Sequence, residues 1–285
     1  MNSSEKNRIK DKAFQYFGMT CTFIGLAILA IFIGNIIYEG IGRIDFDFLI
    51  SFPSMRAKKA GLYSALIGTL WMLVLTSIIA IPIGIAAGIY FEEYAKKGRL
   101  ANLLEINLAN LAGVPSIIYG LLGLEFFVRV LGMGSTLIAG ACTLSLLILP
   151  IIIVSTREAL RAVPSSIRQA SYGMGANTWQ TIWYQILPAS MGGILTGIIL
   201  SISRAIGETA PLIVVGALAY VAFVPSGPFD QYTVLPMQIF NWISRPQHDF
   251  QVNAAAGIII LLIVTFILNG VAVYLRNRWQ KKVKW

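Results

Sequence analysis

The sequence predicts an all-α membrane protein with six transmembrane helices and both termini in the cytoplasm. Three observations carry that reading. The chain is 56% hydrophobic and only 12% charged, with a mean hydropathy of +0.73, which is too apolar for a water-soluble domain. Its apolar residues are gathered into runs of about 20 or more, the length a helix needs to cross about 30 Å of hydrocarbon. The basic residues lie between these runs: of 22 Lys and Arg, 15 fall on the side that both termini share and 6 on the other, with Arg204 inside a span. The positive-inside rule assigns the richer side to the cytoplasm and accounts for the +9 net charge without a nucleic-acid partner.

The elements follow in order. A basic tail with Lys6, Arg8, Lys10 and Lys12 precedes a first span, Phe17 to Tyr38, which is too long for a signal peptide and lacks a small-residue cleavage site. The polar segment Glu39 to Gly61 is the first outside loop. Tyr63 to Tyr90 is the second span, with Pro82 predicting a bend, and Glu92 to Arg99 returns the chain to the cytoplasm. A third span lies between Leu100 and Val130, interrupted around Gly113, Pro115 and Gly120. A short turn leads into the fourth span, Thr136 to Thr156, which contains Pro150. A polar loop, Arg157 to Pro188, feeds the fifth apolar segment, Ala189 to about Phe223, which exceeds one crossing and is expected to project into the cytoplasm or to break at Gly207 and Pro211. Val224 to Phe250 reads as an outside loop with an interfacial helix, in which Trp242 is expected to anchor at the membrane surface. Ala254 to Leu275 is the sixth span. The domains expected are 1–61 for the tail, first helix and outside loop, 62–275 for a core of five helices, and 276–285 for a cytoplasmic tail.

Several chemistries are excluded by inventory. The single histidine, His248, and two cysteines within apolar runs, Cys21 and Cys142, leave no metal site and no disulfide framework. No HExxH and no GxxxxGK occurs, so no cofactor is expected on this chain, and ATP, if it drives the protein, must bind a separate subunit. No aspartate or histidine lies in a span to serve an intramembrane hydrolase.

One feature stands out against the apolar background. Arg204 and Glu208 are four apart inside the fifth apolar segment, where each charge costs about 2.5 to 3.5 kcal/mol on insertion scales. Spacing of four puts both on one helix face, and Pro211, lacking an N–H, frees the carbonyl of Gly207 within a turn of them. The result is a polar patch suited to an anion in a protein-lined path, or equally to a structural bridge with a neighbouring chain. Arg157, Arg161 and Arg168 in the preceding loop are read as topology charges, and Glu105 and Glu125 as residues near water at the ends of the third span.

Two stretches resemble a known family. The loop IRQASYGMGANTWQTIWYQILPAS, Ile167 to Ser190, is similar to the EAA signature of ABC importer permeases, with Ala170, Gly175, Leu187 and Pro188 matching and Gln169, Ser171 and Gln185 departing from it. RAIGETAPL, Arg204 to Leu212, resembles the signature of phosphate ABC importer permeases of the PstA type. So do Gly68 to Tyr94, Asn110 to Phe127 and Leu147 to Leu160, and the likeness extends over roughly Leu62 to Val273. The resemblance implies a type I ABC importer permease fold in a bacterial or archaeal cytoplasmic (inner) membrane. It implies an alternating-access path for inorganic phosphate, with Arg204, Glu208 and Thr209 on the path and Gly207, Pro211 and Pro115 distorting helices. It implies coupling to an ATPase through Gln169, Ala170, Ser171, Gly175, Leu187 and Pro188, small Ala170 and Ser171 allowing close approach and Gly175 the turn that ends a short helix. The partners implied are a PstC-type permease, an ATP-binding subunit dimer that carries ATP and Mg, and an extracytoplasmic phosphate-binding protein. The alternatives are a permease for molybdate or sulfate, or a channel or secondary transporter.

Overall fold

In the computed structural model, which describes residues 3–95, 98–218 and 220–280, the apolar runs are helices and no strand occurs among the described residues. Helix is what hydrocarbon demands, because it satisfies every backbone donor and acceptor within one segment. Helix α1, Ser3–Gly40, packs on the last helix only through its final turns, where Gly40 meets the backbone of Ala255 and Ala256, and its apolar length is otherwise exposed. The segment read as a loop from Glu39 to Gly61 is instead a folded cap. It contains the short helix α2, Phe46–Ile50, capped by Asp45 through the Phe48 amide at 2.7 Å. Arg43 holds the cap down: its guanidinium donates to Asn253 Oδ1 at 3.0 Å and to the carbonyls of Lys58 and Ala60 at 3.1 Å.

Helix α3, Tyr63–Ile89, runs on through a π-helical turn, Tyr90–Tyr94. The third span is not a single interrupted helix. Helix α4, Arg99–Ala112, and helix α5, Ser116–Gly123, which widens into a π-helical stretch Leu124–Val130, meet at 102°. Pro115 stands immediately before α5 with φ −53° and ψ 135°, the extended conformation that an N-terminal flanking residue takes, so the chain turns there rather than merely loosening.

Helix α6, Leu137–Arg161, carries Pro150 inside it and is the axis of the bundle, packing on α3, α4 and α5. Helix α7, Ser165–Gly173, and α8, Thr178–Thr181, follow, so most of the predicted Arg157 to Pro188 loop is helical. From Thr178 the chain is unbroken helix for 30 residues: α8, a π-helical turn Ile182–Ile186, then α9, Leu187–Gly207. The fifth crossing therefore begins before Pro188 rather than after it. Helix α10, Ala210–Val215, is followed by a connection without helix among its described residues, then by α11, Leu235–Ile243, and α12, His248–Gln280.

The core lies where α6 is approached from both sides. A Cβ added to Gly84 of α3 would come within 2.6 Å of Ile152, one on Gly88 within 2.7 Å of Thr156, and one on Gly193 of α9 within 2.6 Å of Ala159; Gly197 sits on Ser155. Small residues at such contacts let helix backbones approach where lipid supplies no hydrophobic drive to association. At the far end from α7, a second core gathers Phe48, Leu62, Trp242, Phe250 and Ala254. Trp242 is 1% exposed and packs on Phe48 with ring centroids 5.8 Å apart, so it is a core residue of the cap and not a membrane-surface anchor, because α11 turns its apolar face onto α12.

Replacing Gly88 by Leu should overpack the α3–α6 contact at a cost of about 1–3 kcal/mol, whereas Gly18→Leu, which meets nothing within 4 Å, should be neutral. Thermal unfolding of the two purified variants in detergent is expected to separate them by several degrees, with only the first below the parent.

Candidate functional site: a coupling surface and a broken helix

Two regions carry the residues singled out from sequence. The first is built on α7 and α8. Arg168 seats α7 by donating to the Val163 carbonyl at 2.7 Å, to the Leu160 carbonyl at 2.8 Å and to Glu93 Oε1 at 2.8 Å. The helix stops at Gly173, and Gly175 at φ +86° reverses the chain, a left-handed conformation that costs a residue with a Cβ about 1–2 kcal/mol. Asn177 then starts α8 with a reciprocal capping box, its Oδ1 accepting from the Gln180 amide at 2.8 Å and its own amide donating to Gln180 Oε1 at 2.9 Å. Ser171 and Thr181 hydroxyls meet at 2.9 Å and pin the two helices together.

Between α7 and the start of the following helix lies an open groove of about 650 Å³, lined by Ala170, Ser171, Met174, Gly175, Tyr184 and Gln185. The structure thus brings together Ala170, Ser171 and Gly175 with Gln185. Gln169 is exposed on α7, while Leu187 and Pro188 lie in the first turn of α9, outside the groove lining. Pro188 does not close a loop. Lacking an N–H, it cannot bond the Tyr184 carbonyl, and the helix widens at that point into the π-helical turn, the Leu187 amide reaching Ile182 O five residues back.

The second region is the junction of α9 and α10. Arg204 Nε and Glu208 Oε1 are 3.1 Å apart, with side chains 39% and 17% exposed. The two residues expected to share a helix face pair with each other, but not on a continuous helix. Helix α9 ends at Gly207, Glu208 is extended with φ −76° and ψ 122°, Thr209 is half-buried, and α10 starts at Ala210. Pro211 therefore sits in the first turn of a new helix, where a missing N–H costs nothing, instead of disrupting an old one. Gly120 of α5 seats the new helix: a Cβ there would lie 2.7 Å from Pro211 Cα. Nothing crowds Gly207, which faces open space beside the charge pair.

Sequence reading missed a third feature. Arg157, Arg161 and Arg168, taken as topology charges, are each paired: Arg157 with Glu105 at 3.1 Å, Arg161 with Glu92 at 3.0 Å and Arg168 with Glu93 at 2.8 Å. Glu105 is about half exposed, whereas Arg157 and Glu93 are nearly buried. The signal present in the sequence is that Arg157 and Arg161 are four apart on α6 and that Glu92 and Glu93 are adjacent at the end of α3. Their meeting is tertiary. Glu125 pairs only locally, with Arg129 at 2.9 Å. Among the described residues no three His, Cys, Asp or Glu side chains gather to hold a metal.

The structure is thus a helical bundle with one axial helix, a short helical pair at one end and a broken helix that bears an ion pair. The chain belongs to the family of binding-protein-dependent transport system inner membrane components, whose model matches residues 80–281. It is a multi-pass cytoplasmic-membrane protein, the permease component of an ABC importer. Among its relatives, a probable ABC transporter permease protein, YqgI, of Bacillus subtilis is 30% identical, covering 97% of this chain and 98% of that one. Phosphate transport system permease protein PstA 1 of Mycobacterium tuberculosis is 34% identical over 76% and 70%, and PstA of Mycobacterium leprae 32% identical over 94% and 90%. In fold, the chain is similar to a chain of a bacterial alginate ABC transporter, with TM-score 0.68, 14% identity and coverage of 95% and 96%, and to a chain of the MetNI methionine ABC transporter, with TM-score 0.59, 17% identity and coverage of 77% and 94%.

Substituting Gly175 by Val should strain the α7–α8 turn by about 1–2 kcal/mol. Hydrogen exchange of the α7 amides is expected to accelerate roughly tenfold as a result, with exchange in α6 unchanged.

Proposed function

We propose that this chain is the permease subunit of an ATP-driven importer of inorganic phosphate. In this reading it pairs with a PstC-type permease, receives phosphate from an extracytoplasmic binding protein, and sits on a dimer of ATP-binding subunits that carry ATP and Mg. Both termini and the α7–α8 surface face the cytoplasm, and the groove lined by Ala170, Ser171 and Gly175 receives the ATPase. Gln169 on the exposed face of α7 contributes to that contact, while Leu187 and Pro188 fix the helix behind it.

The observation that carries the reading is the Arg204–Glu208 pair at an opening between two helices, in a stretch whose relatives include phosphate permeases. The pair has the strength a path requires. At an effective dielectric of 20, a unit anion about 4 Å from Arg204 gains about 4 kcal/mol, and a glutamate about 8 Å from the anion offsets about 2 of it. The remaining attraction of about 2 kcal/mol per charge retains the anion roughly thirtyfold, enough to replace some hydration and weak enough to release it. Thr209, at the same break, offers a hydroxyl beside the charge, and exposed Gly207 leaves room for the ion. Pro211 and Pro115 supply the breaks at which α10 and α5 begin, so the helix ends around the path are set by proline positions.

The test is uptake of labelled inorganic phosphate by proteoliposomes containing the whole complex. The parent is expected to require ATP, Arg204→Gln to lower uptake at least tenfold, and Glu208→Gln to slow turnover by holding the anion too long. An Arg204→Glu, Glu208→Arg double variant that takes up phosphate at the parental rate would reject the path role and leave the pair a bridge. Uptake by this chain alone, or preference for molybdate or sulfate over phosphate, would reject the wider reading.

A further inference from the structure

Three ion pairs join four helices at the α7 end of the bundle. Arg168 of α7 meets Glu93, Arg161 of α6 meets Glu92, and Arg157 of α6 meets Glu105 of α4, with Arg157 Nε also 3.9 Å from Glu92. They are not alike in burial. Arg161 is 48% exposed, and such a pair contributes little, whereas Glu93 is 7% and Arg168 20% exposed, so that pair is poorly screened and costly to break. Arg168 also donates to Leu160 and Val163 carbonyls at the end of α6. One guanidinium thus binds α7 to the ends of both α6 and α3.

What lies at the other end of α3 gives this contact its meaning. Along its length α3 touches the α9–α10 break: Ala80 packs in one cluster with Ala205, Met72 in another with Leu212, and Met72 and Leu73 share a small void with Ala205, Ile206 and Leu212. Beyond that, Thr69 accepts the Leu235 amide at 2.9 Å, joining α3 to the start of α11. Helix α3 and the π-helical turn that carries Glu93 are held against α6 at Gly84 and Gly88, so displacement at Glu93 is carried by the packed α3–α6 pair toward the place where Arg204 and Glu208 sit.

We propose that the Glu93–Arg168 pair is the link by which movement of α7 is passed to α3 and so to the α9–α10 break, which makes Glu93 a positioning residue for transport. This rests on the reading of α7 as the surface that receives the ATPase. Glu92 and Arg161 tie the same end of α3 to α6 without contacting α7, and Arg157 with Glu105 holds α4 against α6, so that α3 and α6 respond as one packed pair.

The experiment uses the full complex in proteoliposomes, with Cys21 and Cys142 replaced by Ser and a reporter cysteine at Gly207, whose labelling rate is read with and without ATP. In the otherwise unmutated chain ATP should change that rate. In Glu93→Gln, which leaves the Arg168 bonds to the two carbonyls in place, the ATP response should fall about tenfold while ATP hydrolysis stays within about twofold of the parent. Glu93→Asp, which keeps the charge, should recover much of the response. A Glu93→Gln complex whose labelling answers ATP as the parent does overturns the inference. Should the neutral amide prevent assembly, Glu93→Lys with Arg168→Glu decides: an ATP response restored toward the parental one in this charge-reversed complex supports the link, and an assembled charge-reversed complex that hydrolyses ATP without any ATP response at Gly207 rejects it. Failure of the unmutated chain to co-purify with an ATPase is a separate result, which rejects the reading of α7 itself.

Discussion

The closeness with which α3 and α9 approach α6 is the constraint on which the rest of the structure depends. In hydrocarbon the apolar surface of a helix gains nothing by leaving lipid, so helices associate through dispersion contacts that decay within an ångström and through the few polar bonds that can be matched. Glycines at 84 and 88 on one side and at 193 and 197 on the other bring two backbones onto different faces of the same stretch of α6, from Ile152 to Ala159. With that axis in place, α7 and α8 can only project beyond its end, and the break after Gly207 can only fall beside α3.

Charge is used in two ways in this bundle. At the α7 end, Arg157, Arg161 and Arg168 are each matched by a glutamate, so those side chains fasten helices and have little charge left over for an anion. The Arg204–Glu208 pair lies apart from that corner, with its arginine more than a third exposed and open space beside Gly207. A charge with a single partner and an open side is the kind that a passing ion can share. Charges with several buried partners are the kind that carry force between helices.

Part of the irregular backbone lies at prolines, although the π-helical segments Tyr90–Tyr94 and Leu124–Val130 contain none. Pro115 and Pro211 each stand at the beginning of a helix, Pro188 lies just after a π-helical turn, and Pro82 and Pro150 remain inside helices. Which outcome a proline has depends on its neighbours: where α5 and α10 can pack on each other through Gly120, two helix starts are stabilised, whereas Pro82 and Pro150 lie in helices clamped together along their length.

Much of this was legible in the sequence, because lipid as a solvent makes hydropathy a strong signal. The crossings and the placing of Arg204 and Glu208 on one helix face follow from local composition and spacing, which also left a break near Gly207 as one of two outcomes for the over-long fifth segment; the turn at Gly175 came with the family resemblance. The sequence left undecided the right-angle turn before α5, the start of the fifth crossing at Thr178, the folding of the cap around Trp242, and the pairing of Arg157, Arg161 and Arg168 with Glu105, Glu92 and Glu93. Each of these joins residues tens of positions apart, or turns on whether a backbone group lost to proline finds another partner. Periodicity and spacing describe a single helix and its neighbours in sequence. Contacts between helices depend on how closely their backbones approach, and only the tertiary structure decides that.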